Sequence, residues 1–160
     1  MKEVNLFQEF REDHRKVRDG LLELASAFEA CDLKRAKEIL GYLNQILGPH
    51  FRFEEEALYP SLKVFLGEYI DKLLKDHDGA IKTAKDLISL IEKGKISKEE
   101  GKEAAKITRS LLVHVSDCEG LAIIAERLSK NEIDKITERL LEARREGISL
   151  IDWADKIRKR

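Results

Sequence analysis

Apolar residues recur at steps of three, four and seven along nearly the whole chain, and a 3.6-residue period sustained this far is satisfied only by helices that bury one side each. The first stretch, roughly residues 3 to 29, has Phe10, Val17, Leu21, Leu24 and Phe28 on its stripe. The second, about 33 to 58 and entered through Asp32 as a cap, carries Ile39, Leu43, Ile46, Leu47, Phe53 and Ala57. Pro49 lacks the N–H that bonds one turn back, so Gly48-Pro49 predicts a kink or a fresh helix start. Tyr59-Pro60 ends this stretch, and a turn or short helix is expected to about Gly67. The third, about 68 to 93, turns Ile70, Leu73, Leu74, Ile81, Ala84, Leu87, Ile88 and Ile91 inward and closes at Lys93-Gly94-Lys95. Ser97 followed three residues later by Glu100 is a capping box that opens a fourth helix to about Leu128, with Ala104, Ile107, Leu111, Cys118 and Leu121 inward. A fifth helix, about 132 to 157 and capped by Asn131, places Ile133, Ile136, Leu140, Ile148, Ile151 and Ile157 on one side.

The expectation is an all-α chain: one domain over residues 1–160, an antiparallel up-down-up-down four-helix bundle over about 3–128, with an additional C-terminal helix over about 132–157. A domain of this length buries roughly 70% of its unfolded surface, enough for one substantial core. The C-terminal helix must cover something. It lies either across the end of the four-helix core, or against a second copy in a homodimer, with Trp153 as an anchor.

Lys plus Arg number 30 against 31 Asp plus Glu, so the long-range field is weak and gives no electrostatic case for nucleic acid or a membrane surface. No apolar run reaches transmembrane length, and Met1-Lys2-Glu3-Val4-Asn5 lacks the apolar core of a signal peptide, so a cytoplasmic protein is expected. Cys31 and Cys118 are too few and too far apart for a disulfide framework or a cysteine zinc site. Glycine-rich phosphate loops and a serine elbow for Ser-His-Asp chemistry do not occur in the sequence.

The histidines carry the functional signal. Each of the first four long helices supplies one, and His14, His50, His77 and His114 all fall on the apolar stripe. A core stripe takes about three positions in seven, so chance would place all four inside only about three times in a hundred. Four buried imidazoles each need partners for two ring nitrogens, and a metal satisfies one of each. Glu54 follows His50 by four residues, on the same face one turn on, where a carboxylate can bridge two ions. Glu55 and Glu56 read as solvated. After His114 come Asp117, Cys118 and Glu119. A regular helix aims Cys118 inward, most simply as a small apolar residue. Glu119 reaches the core only if the helix is underwound there. Asp13, Asp76 and Asp78 flank histidines, but helix neighbours point about 100° apart, so they read as solvent-facing.

Asp13-His14, the run from His50-Phe51-Arg52-Phe53-Glu54 through Leu58-Tyr59-Pro60, Asp76-His77-Asp78, and His114 with Glu119 together resemble the hemerythrin-like, or HHE cation-binding, domain over residues 10 to 120. The resemblance implies a non-haem di-iron centre in which Glu54 and Glu119 bridge, His14 and His50 bind one iron, and His77 and His114 bind the other. The oxygen carriers of that family have a further histidine where this chain has Leu73, which implies an open position on one iron and sets this chain apart from simple oxygen carriage. A protein that binds or senses oxygen, nitric oxide or peroxide, or handles iron, is the leading expectation. The alternatives are a di-iron enzyme that removes peroxide or nitric oxide or repairs iron centres, and a metal-free interaction module. Zinc is the other metal to weigh, but six inward ligands exceed the four of a closed zinc site.

Overall fold

The computed structural model describes residues 4–158. Residue 3, the expected start of the opening helix, lies outside them, as do the first three residues of the stretch weighed as a signal peptide. The described residues are helical with short links, and no strand occurs among them. Among them, too, no helix is long and apolar enough to cross a membrane.

Helix α1 (Leu6–Glu29) begins where the Asn5 side chain accepts the Gln8 N–H at 3.1 Å, satisfying one of the orphan donors of the first turn. It is followed at Cys31 by a positive φ of 54°. Asp32 caps α2 (Leu33–Phe53) in the same way, through the Arg35 N–H. This helix runs through Pro49 unbroken. The expected irregularity falls one turn later, in a π-helical turn over Glu54–Leu58, and Tyr59-Pro60 opens α3 (Tyr59–Leu66), with Pro60 in a first turn that does not need its N–H. Helix α4 (Tyr69–Glu92) matches the third stretch, and Gly94, at φ 80°, turns the chain beyond it.

The Ser97–Glu100 capping box forms in full, but the fourth stretch is not one helix. It divides into α5 (Lys98–Ser110), α6 (Leu112–Glu119) and α7 (Leu121–Ala125), with breaks at Leu111 and Gly120. Ile107 is turned toward solvent rather than inward. The C-terminal helix is also two: α8 (Lys130–Glu146), capped by Ser129 and not by Asn131, and α9 (Leu150–Ile157), capped by Ser149. Gly147 between them adopts the left-handed conformation that ends a helix without a Cβ penalty.

Packing follows the stripes. Helix α1 lies against α2 and α5, α4 against α2, and α8 and α9 against α2. One apolar cluster joins Phe10, Phe53, Tyr59, Leu62, Leu73, Leu121 and Leu140, and a second joins Val17, Leu24, Phe28, Leu43, Leu87 and Ala104. Each fully buried Leu or Phe contributes roughly 1.5–3 kcal/mol, so these clusters carry the fold. Along α1 the chain passes from the first cluster at Phe10 to the second at Val17, and His14 sits at the changeover; on α2, His50 sits between Leu43 and Phe53. A third cluster packs Leu150, Trp153 and Ala154 of α9 on Phe51 and Ile81. The apolar face of α9 is therefore covered by α2 and α4, while Ile136 and Leu140 of α8 join the first cluster.

Candidate metal centre

The polar layer forms where the long helices cross between the two main clusters. His14 comes from α1, His50 from the last turn of α2, Glu54 from the π turn, His77 from α4 and His114 from α6. One donor atom each from His14, His50 and Glu54 lie within 4.8 Å of one another, and so do those of His77, His114 and Cys118. The imidazoles thus meet in two pairs, His14 with His50 at 4.9 Å between ring centroids and His77 with His114 at 5.0 Å. Glu54 joins the pairs, its Oε1 lying 3.4 Å from His50 Nε2 and 3.2 Å from His77 Nε2. Phe51 stacks on His77 at 3.8 Å and Phe10 packs on both His14 and His50, so apolar rings hold the imidazoles in place.

Five of the six residues singled out in the sequence are brought together. Glu119 is not among the converging donors. It is the last residue of α6, its side chain 34% exposed, with Oε2 2.5 Å from His14 Nδ1 and Oε1 accepting from Arg11. The underwound turn that would carry it inward lies instead at Glu54–Leu58.

Each histidine turns its Nδ1 toward a carboxylate. His50 donates to Asp13 at 2.9 Å, His77 to Glu55 at 2.7 Å and His14 to Glu119, while His114 Nδ1 lies 3.6 Å from Asp76. Behind every carboxylate stands a cation: Arg144 on Asp13, Arg158 on Glu55, Arg11 on Glu119 and Lys72 on Asp76. Asp13 and Asp76 are therefore not solvent-facing as the 100° rule suggested. That rule places a residue relative to its own helix neighbour, and these two serve histidines of other helices. Asp78 does face solvent and pairs with Arg158. A carboxylate on Nδ1 fixes the tautomer and leaves Nε2 free to serve as a ligand.

Glu55, expected to be solvated, is instead largely buried against His77, and Tyr59, read only as the end of a helix, also reaches the site. In a regular helix the residue five positions on lies roughly 140° around the axis. The π turn bonds the Tyr59 N–H back to the Glu54 carbonyl and brings the two onto a shared side, with the Tyr59 hydroxyl 3.0 Å from His77 Nε2 and 3.3 Å from Cys118 Sγ. The Leu58-Tyr59-Pro60 motif was the available signal for Tyr59; nothing distinguishes Glu55 within its acidic run.

Charge is divided unequally over the site. Burial opposes a charge on His50, but the Glu54 carboxylate and the Asp13 hydrogen bond outweigh it and hold its pKa up at about 10. His77 is also raised against burial, through Glu54 and Glu55. His14 and His114 move down, by burial first and then by the charge of the neighbouring imidazole. Burial alone would raise Glu54; the charges of His50 and His77 instead hold it well below the usual carboxylate range. Each pair so contains one ring whose pKa is raised and one whose pKa is lowered.

A buried carboxylate is several kcal/mol unfavourable unless a cation meets it. Glu54 has no exposed surface, and both its oxygens lack a hydrogen-bond partner among the described residues. Imidazole and carboxylate donors around such a group fit a divalent transition metal. A family model described as the hemerythrin HHE cation binding domain matches residues 5–123. The chain belongs to the hemerythrin HHE family. That span contains every converging donor of this hemerythrin-family site. No curated protein and no solved structure gives a match.

Proposed function

We propose that this hemerythrin-family protein holds two non-haem iron ions and presents them to a small diatomic molecule or peroxide. His14 and His50 serve one ion, His77 and His114 the other, and Glu54 lies between. The observation that carries the proposal is Glu54, a fully buried carboxylate with neither oxygen hydrogen-bonded and an imidazole Nε2 of each pair within 3.4 Å of Oε1. The antiparallel up-down-up-down order of the histidine-bearing stretches belongs to the same reading. Glu119 enters it behind His14, orienting the ring, since the bridging role implied by resemblance would require it to leave Arg11.

Iron in such a site supplies an open coordination position for oxygen, nitric oxide or peroxide. The chain supplies the surroundings. A cavity of about 50 Å³ borders His14, His50 and His114 and is lined by Val17, Leu21, Leu47, Leu111 and Val115. That volume is a few times the roughly 10–15 Å³ one water requires, which gives room for a small diatomic molecule. The apolar wall keeps bulk water from the imidazoles, and Phe51 and Phe10 keep their planes fixed. Both cysteines are free, as a cytoplasmic setting would keep them.

The test is anaerobic loading with ferrous iron, metal analysis, and an absorption spectrum before and after oxygen. Two irons per chain and new near-ultraviolet bands on aeration are expected. A folded protein that takes up no metal, or saturates at one ion, would overturn the two-iron reading. Turnover of peroxide or nitric oxide faster than by free iron would move it to an enzyme.

A further inference from the structure

The two halves of the site differ in one donor. His50 and His114 are each followed four residues later by an inward-facing side chain, but the first is Glu54 and the second is Cys118. Cys118 is 1% exposed, with Sγ 3.3 Å from His114 Nε2. The acidic residues on either side of it do not take its place. Glu119 is engaged by Arg11 and His14, and Asp117 is partly exposed with Lys72 3.8 Å away.

We propose that the halves are chemically unequal, His14, His50 and Glu54 forming a nitrogen–oxygen site and His77, His114 and Cys118 a nitrogen–sulfur site in which Cys118 binds metal as a thiolate. This rests on the reading that the cluster binds metal, and assigns the donor set of one half. The fully buried Glu54 carboxylate, with neither oxygen hydrogen-bonded and Oε1 3.2 Å from His77 Nε2, is the independent sign that a cation belongs there.

Loading the sulfur half breaks the Cys118 S–H bond; the electron pair goes to the ion and the proton to solvent. In the metal-free protein, burial first and then the Glu54 charge keep the thiol protonated, so the ion and not the environment drives that loss. The Tyr59 hydroxyl, 3.3 Å from Sγ, is placed to donate a hydrogen bond to the thiolate; burial and the Glu54 charge push its own pKa far up, so it retains its proton. A thiolate beside two imidazoles favours thiophilic divalent ions such as zinc, cobalt and ferrous iron over magnesium or calcium.

The probe is cobalt(II) alone, added to the whole chain in wild-type form and as Cys118→Ala, Cys118→Ser and Cys31→Ser. Wild type and Cys31→Ser should show a near-ultraviolet sulfur-to-cobalt charge-transfer band. Both Cys118 variants should lose the band and drop from two bound ions to one. X-ray absorption on the zinc-loaded wild type, which needs no variant, should show a sulfur shell at about 2.3 Å amounting to one sulfur for each pair of zinc ions. Two bound cobalt ions without the band, or a sulfur-free zinc shell, would overturn the assignment while leaving the metal centre standing. No metal uptake by wild type would overturn both.

Discussion

A carboxylate with no exposed surface and an imidazole on either side can be neutralised by protons on those rings or by a metal ion among them. Glu54 is in that position, which links metal to pH. In the metal-free protein His50 is raised from 6.5 to about 10, so its contribution to stability is complete below pH 6.5 and is lost as pH rises through 10. His14 and His114 are lowered and act oppositely, costing stability as pH falls below the ordinary histidine value. Melts of chelator-treated protein should therefore show Tm falling between pH 7 and 10, with a flatter limb for Glu54→Gln; a Tm that rises over that range contradicts the assignment. With iron, Glu54→Gln should bind no more than one ion per chain by metal analysis. Asp13→Asn tests the outer partners, since weakening the acceptor on a ligand histidine typically costs 10–100-fold in metal affinity, measurable by competition with a chelator.

At the scale of elements, the π turn between α2 and α3 aligns Glu54, Glu55 and Tyr59 on one site, and such widened turns recur at functional sites. The helix before it depends on close approach. A Cβ on Gly48 would stand 2.0 Å from the Ile148 carbonyl oxygen in the link between α8 and α9. Backbone cannot yield as a flexible side chain does, so Gly48→Ala should destabilise by roughly 1–3 kcal/mol, the usual cost of overpacking, and loosen α9 from Phe51. Thermal melts and Trp153 fluorescence would read both effects; an unchanged Tm would mean the link moves freely.

Across the whole molecule, the C-terminal helices do more than shield α2 and α4. Arg144 of α8 braces Asp13 behind His50, and Arg158, just past α9, braces Glu55 behind His77. One histidine of each pair thus depends on a cation supplied from beyond residue 128. Truncation after Leu128 should lower Tm by exposing Phe51 and Ile81, and should also weaken metal binding. Arg144→Ala in the full chain separates the effects, reducing metal affinity with a smaller loss of Tm. Equal affinity in the truncated and full chains would show that the outer cations do not matter to the site.

The helical stripes, the caps at Asn5, Asp32 and Ser97, and the inward facing of four histidines and Glu54 are local properties. Each depends on residues within a turn or two, so the order of amino acids determined them, and with them the family. Which carboxylate meets which imidazole is a different matter. Asp13 and His50 are 37 residues apart, Glu119 and His14 105, Arg144 and Asp13 131. Spacing along the chain says nothing of such pairs. The helix breaks at Leu111 and Gly120 and the π turn at Glu54 were likewise decided by tertiary packing, because a small local shift in winding is cheap beside burying a side chain in the core.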